Sequence, residues 1–161
     1  MKPAEVSTPS DREVLVKRSF DAPVNLVWQA YTDPALMRRW LTAMPGWSMP
    51  VCEMATHVGG KYRWRWRHEN GQEFGFTGEM LEVALHSKIV HTQIFDPGNL
   101  GGTMGGEPSI ITVTFNETNG IANVATSIKY ASKADRDAAM STGMTDGMEM
   151  SYQALDGVLA A

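Results

Sequence analysis

The stretch GGKYRWRWRHENG, Gly59 to Gly71, alternates basic and aromatic residues almost without interruption. Two kinds of surface produce that pattern. A platform for single-stranded nucleic acid interleaves positive charge with flat rings on one accessible face. A strand with one dry face and one wet face alternates in the same way. Successive side chains of a strand point to opposite sides, so Tyr62, Trp64, Trp66 and His68 share one face and Lys61, Arg63, Arg65 and Arg67 the other. Charge and rings are thus separated, which is the mark of a half-buried strand. Glu73 and Glu79, beyond the Asn70-Gly71 hairpin signal, are placed to pair with the basic row from the next strand.

The whole chain agrees with this reading. Its 161 residues carry a formal net charge of -4, a balance that does not attract phosphate backbones. Hydrophobic residues make up 43%, enough for one domain with a core of its own. Cys52 is the single cysteine, so no intrachain disulfide forms, and a reducing, cytoplasmic setting is expected. The opening MKPAEVSTPSDRE has no apolar run of a signal peptide. Residues 1–12 read as a flexible leader and residues 13–161 as a single domain. No run approaches the roughly 18 apolar residues of a membrane helix.

Working outward from the opening stretch, EVLVKRSF (Glu13 to Phe20) reads as a first strand. Asp21 and Pro23 signal a helix start, and Asp33 with Pro34 signals a second short helix. MPVCEMATHV, EFGFTGEMLEV, SKIVHTQIF, IITVTF and NVATSIKY supply further strands, about seven in all. Strands joined by tight turns are antiparallel. Ser132 and Asp135 are spaced like a capping box. Met140, Met144, Met148, Tyr152, Leu155 and Leu159 then recur at helical spacing, predicting one C-terminal helix of roughly 28 residues, about 42 Å long. Gly143 and Gly147 fall inside it, explained either by close approach of a neighbour or by a loosened middle. The expected class is α+β: a curved antiparallel sheet wrapped around the long helix, with the two short helices between strands 1 and 2.

FDAPVNLVWQAYTDPALMRRW, MPVCEMATHVGGKYRW, FTGEMLEV, KIVHTQIF and SKADRDAAMSTGMTDGM, in this order, resemble the helix-grip, START-like superfamily called SRPBCC. Within it the resemblance is to the branch homologous to the activator of the heat-shock-chaperone ATPase. It runs from about Glu13 to the C-terminus. The resemblance implies the helix-grip fold with a cavity between sheet and C-terminal helix. The superfamily includes hydrophobic-ligand carriers, cyclase-like enzymes and a chaperone activator. Leu41 and Met148 stand where many relatives carry Trp, and Ala55 and His57 where many carry an acidic residue and Arg. At Leu41 and Met148 flexible side chains replace large rigid rings, and where those positions line the implied cavity its shape is expected to depart from the family average.

Three functions are carried forward from this sequence. The first is binding of a small, mostly apolar or aromatic ligand, with Trp28, Trp64, Trp66, Phe76, Met80, His91, Met144, Met148 and Tyr152 as lining. The many methionines, flexible gap-fillers, suit such a wall or an ordinary core equally. The second is cavity catalysis of cyclase, dehydratase or hydrolase type, with His91 or His68 and Glu82 as acid and base. The third, by family analogy alone, is partnership with a chaperone. A homodimer is compatible with each. The four histidines lack metal-ligand spacing and no cofactor motif occurs, so neither metal nor cofactor is expected. Cys52 reads as a small core residue, and the Gly-rich segment 96–109 as a mobile rim or lid.

Overall fold

The computed structural model describes residues 1–42, 44–99 and 107–161. In chain order its elements are β1 (Glu5–Ser7), β2 (Glu13–Phe20), α1 (Val24–Thr32), α2 (Pro34–Trp40), β3 (Trp47–Met54), β4 (Lys61–His68), β5 (Glu73–Ala84), β6 (Lys88–Asp96), β7 (Ser109–Thr118), β8 (Ile121–Lys129), α3 (Lys133–Met140) and α4 (Met144–Ala160). The strands form one open, curved, eight-stranded antiparallel sheet in the order β1-β2-β8-β7-β6-β5-β4-β3. This is the expected α+β helix-grip architecture with one strand more. The extra strand comes from the stretch expected to be a leader: Glu5, Val6 and Ser7 pair with Lys17, Val16 and Leu15.

Alternation decides which face is dry. In β2, Val14, Val16, Arg18 and Phe20 point inward and are all buried. Ile111, Val113 and Phe115 on β7 and Ala122, Val124, Thr126 and Ile128 on β8 continue the same face. Tyr152 and Leu155 of α4 and Val27, Trp28 and Ala30 of α1 close over it. Each fully buried large side chain contributes about 1.5–3 kcal/mol. Trp40 ties α2 to α1 through its Nε1, which donates to Ala30 O at 2.9 Å.

Two helix starts behave differently from one another. Asp33 caps α2 as expected, its Oδ1 accepting from Ala35 N at 3.0 Å, with Pro34 next. Asp21 does not cap α1. Pro23 occupies the cap position and has no side-chain acceptor, so Glu117 at the end of β7 supplies one, accepting from Val24 N at 2.7 Å. A carboxylate from a distant strand completes the helix that local sequence left open.

The single long C-terminal helix is corrected to two. Ser132 caps α3 as expected, accepting from Asp135 N at 3.1 Å, but the chain breaks at Gly143, which has φ +79°. A left-handed residue cannot continue a right-handed helix, and glycine adopts that conformation without penalty. No close approach explains either helical glycine, since a Cβ at Gly143 or Gly147 would meet nothing within 4 Å. Opposite outcomes follow. Gly143→Ala is expected to destabilise by about 1–2 kcal/mol through the positive φ. Gly147→Ala is expected to stabilise by about 0.5–1 kcal/mol through helix propensity. Urea midpoints of the two variants check the signs. No helix is long and apolar enough to cross a membrane among the described residues.

The backbone of α4 makes its main approaches to α2, α1, α3 and β2. The inner face of β4, β5 and β6 is therefore reached by side chains more than by helix backbone. Residues 100–106, on which the rim or lid reading of segment 96–109 rests, lie outside the described residues, and Met104 with them.

Candidate functional site

The face left to side chains is a field of rings. Tyr62, Trp64 and Trp66 project from β4, as their alternation requires, and Phe74 and Phe76 from β5. The register sets Trp64 opposite Phe76 and Trp66 opposite Phe74. Phe76 in turn faces Phe95 on β6. Trp66 stacks on Phe74 at 5.4 Å between centroids and meets Phe76 edge-on at 5.8 Å. Trp64 lies 6.3 Å from Trp66, and Phe76 lies 5.6 Å from Phe95. Such pairs are worth about 0.5–1.5 kcal/mol beyond their area. Trp64, Trp66, Phe74 and Phe76 are only half-buried, and Phe95 is 44% exposed.

Beneath α2 a second apolar cluster adjoins these rings. Met37, Met49 and Cys52 are buried there, with Leu41, Met54, Trp64 and Trp66 packed against them. Cys52 is the core residue expected of it, and burial raises its thiol pKa, with Arg38 opposing. Trp66 Nε1 donates to Leu41 O at 3.0 Å. Trp64 Nε1 is buried without a hydrogen-bond partner among the described residues. Tyr31 Oη is the other such atom, on α1, where burial first and Tyr152 second push its phenol pKa far up.

His91 closes the inner end of the field. It is 6% exposed, opposite Met80 in the ladder, and 4.9 Å from the Tyr62 ring. Tyr62 Oη donates to Thr92 O at 2.6 Å, and His91 Nδ1 lies 2.9 Å from the same oxygen. A carbonyl only accepts, which assigns the proton to Nδ1. Burial lowers the His91 pKa, the bond to Thr92 opposing it. With a depressed folded pKa, stability is intact above the unfolded value near 6.5 and is lost as pH falls toward the folded one. Chemical unfolding at steps from pH 7 to about pH 5 is expected to show this loss in the wild type and a flatter profile in His91→Phe.

The His–Glu acid–base pair is corrected. Equal spacing puts Glu82 on the face of Phe76 and Met80 only if β5 is regular. A bulge between Met80 and Glu82 inserts one residue against β6, and a bulge reverses the alternation beyond it. Glu82 consequently turns outward, 54% exposed, and pairs with Lys88 at 3.3 Å. His68 does not enter the ring field either. It sits at the end of β4 against Trp47 at 5.0 Å, its Nδ1 accepting from Asn70 N at 3.1 Å. Among the described residues no three His, Cys, Asp or Glu side chains gather around a common point for a metal ion.

The remaining expected lining residues divide. Trp64, Trp66 and Phe76 meet in the ring field. Met144 and Met148 are half-buried at the edge of the main core, while Met80 lies within it. Trp28 and Tyr152 are core residues elsewhere. Trp28 packs on Phe115 at 5.2 Å, and Tyr152 on Phe20 at 5.7 Å. Two open hollows lie elsewhere. One of about 490 Å³ is on the outer face of β3–β6, against Glu53, Lys61, Arg63, Thr77 and Glu79. Another of about 290 Å³ lies beside Trp47, Arg67 and His68. On that outer face Lys61 pairs with Glu79 at 3.3 Å and Arg65 with Glu73 at 3.1 Å, the expected acidic partners, and Arg65 pairs with Asp96 as well, at 3.1 Å.

Residues 21–160 match the family model described as Activator of Hsp90 ATPase homolog 1-like protein, AHSA1. The chain belongs to the AHSA1 family. A solved protein from Rhodobacter sphaeroides is similar to it at 28% identity, with 99% of each chain covered and a TM-score of 0.90. Protein Ms6760 from Mycobacterium smegmatis shares the fold at 20% identity, TM-score 0.86, over 98% of this chain and 97% of its own. The AHSA1 protein of Silicibacter pomeroyi does so at 18% identity, TM-score 0.70, over 92% and 97%. No curated protein sequence matches the chain significantly.

Within this AHSA1 chain, sequence reasoning passed over Phe74 and Phe95 of the ring field. Phe74 was within reach, since it shares alternation with Phe76 in EFGFTGE. It also passed over a buried ion cluster. Arg18 is 4% exposed on the inner face and donates to both oxygens of Asp156 at 2.8 Å. It donates to Glu149 as well, at 3.4 and 3.2 Å. Burial raises the Glu149 pKa, but bonds from Arg18, Ala4 N and Gln153 outweigh it, and the net direction is down. The cluster clamps α4 to β2 and, through Ala4 N at 2.8 Å from Glu149 Oε1, to the start of β1.

Proposed function

We propose that this domain binds a small, mostly apolar, aromatic ligand at the inner face of β4–β6, beneath α2 and beside α4, in a reducing compartment. One observation carries the reading. Phe20, Trp28, Phe115 and Tyr152 over the β2–β8–β7 half are buried, whereas Trp64, Trp66, Phe74, Phe76 and Phe95 form a continuous field that is only partly covered. Rings left half-open beside a methionine cluster suit a flat guest, because thioether side chains yield where Leu or Ile would not. The separation of His91 from Glu82 and His68 removes the acid–base pair that favoured catalysis. The chaperone-partner reading has the family's name in its support and no residue of this chain.

Titration with N-phenyl-1-naphthylamine, a neutral apolar fluorophore, tests this. The wild type is expected to bind it in the micromolar range, with Trp66→Ala weaker by about tenfold or more and Trp28→Phe unchanged. Absence of any fluorescence enhancement with the wild type at about 100 μM dye would sink the proposal.

A further inference from the structure

An indole N–H donates and cannot accept. Trp40 and Trp66 satisfy theirs on the carbonyls of Ala30 and Leu41. Trp64 Nε1 is equally shut off from water and has no acceptor among the described residues. Native chains leave few buried donors unmet, because each forfeits its hydration without replacement. Trp64 occupies the seam between the two apolar clusters, packing on the main core and also on the group formed by Met37, Met49 and Cys52. Its ring lies 6.3 Å from both Trp66 and His91. The nearby cation, Arg38, is exposed on α2 and its Nε is engaged with Met49 O at 3.3 Å.

We propose that the ligand of this face is an uncharged aromatic molecule bearing a carbonyl or hydroxyl oxygen, and that Trp64 Nε1 donates to that oxygen. The inference rests on the ligand-binding reading above and adds the chemistry of the guest. The orphan donor calls for an acceptor. The flanking rings, stacked and edge-on, call for a π-system. The absence of an inward-facing cation among the described residues of this seam calls for neutrality, because an unpaired carboxylate is strongly disfavoured in apolar surroundings.

Calorimetric titration of the full chain with 2-acetylnaphthalene, 2-ethylnaphthalene and 2-naphthoate separates the possibilities. The ketone is expected to bind about tenfold tighter than the hydrocarbon, with the carboxylate weaker than the ketone. Trp64→Phe is expected to bring ketone and hydrocarbon within about twofold of each other, while Trp66→Phe keeps the preference. In the wild type, the indole N–H resonance of Trp64 is expected to move downfield with the ketone and not with the hydrocarbon, a readout independent of whether Trp64→Phe folds. Equal binding of ketone and hydrocarbon, a preference that survives in Trp64→Phe, or an unmoved Trp64 resonance overturns the inference and leaves the binding reading standing. If the wild type takes up none of the three probes, both fall.

Discussion

Replacing Arg18 by Met is expected to destabilise the fold by about 3 kcal/mol, among the largest effects of any single substitution. All the guanidinium donors are used. Nη1 and Nη2 grip Asp156 in parallel at 2.8 Å, Nε and Nη2 reach Glu149, and Nη1 also donates to Ser19 O at 3.0 Å. The plane lies 5.1 Å from the centre of the Phe20 ring, adding a cation–π contact. Met fills a similar volume but leaves two carboxylates facing each other without their cation. The figure is set at the lower end for loss of a buried partner because Asp156 remains 33% exposed and is screened by water. Arg18→Lys keeps the charge and loses the parallel grip, so an intermediate loss is expected. Acid titration gives a second signature. Glu149 is held below its usual value near 4.5, so its contribution is present above that pH and lost as pH falls through the folded pKa. Arg18→Met is expected to flatten that acid limb. Urea unfolding at pH 7 and at about pH 4 measures both, and a loss under about 1 kcal/mol at pH 7 would show the clamp to be idle.

Gly78→Val is expected to cost about 3 kcal/mol and to disturb His91. Gly78 lies opposite Tyr62 in the β4–β5 ladder. A Cβ there would overlap the carbonyl oxygen of Thr92 and the Tyr62 ring. The backbone oxygen cannot swing aside as a flexible side chain does, so the strain falls on the ladder itself. Tyr62 would also be lifted from its 2.6 Å bond to Thr92 O, the atom that His91 Nδ1 shares. Thermal unfolding reads the stability, and the His91 ring resonances read the local change. Gly147→Ala serves as the contrast, since open space surrounds that site. A Gly78→Val variant as stable as the wild type, with unchanged His91 resonances, would mean that Tyr62 is not held in this way.

Alternation read the sheet correctly wherever the ladder is regular. In β4 the rings turned inward and the cations outward, and the acidic partners at Glu73 and Glu79 were found where spacing put them. It failed at the bulge after Met80, because one inserted residue reverses every assignment beyond it, Glu82 included. Arg18 sat in plain view at an inward position between Val16 and Phe20. Its partners, Glu149 and Asp156, are two helical turns apart on α4 and share a face, but only the tertiary fold brings that face to β2. The composition of residues 1–12 describes a leader, yet Glu5–Ser7 gains a ladder and Ala4 a carboxylate, both from distant chain. The break at Gly143 is a positive φ, which an unbroken stripe of methionines on either side concealed. The ring field was legible as aromatic parity. Which rings would pack solid and which would stay half-covered depends on where α4 lies, and local pattern does not encode that.

Native mass spectrometry of the chain purified from its own host tests the central claim most directly. The account predicts a fraction of the wild type carrying one small neutral molecule, released at modest collision energy and missing from Trp66→Ala purified in parallel. The bare chain mass alone in the wild type, at every collision energy, would contradict it.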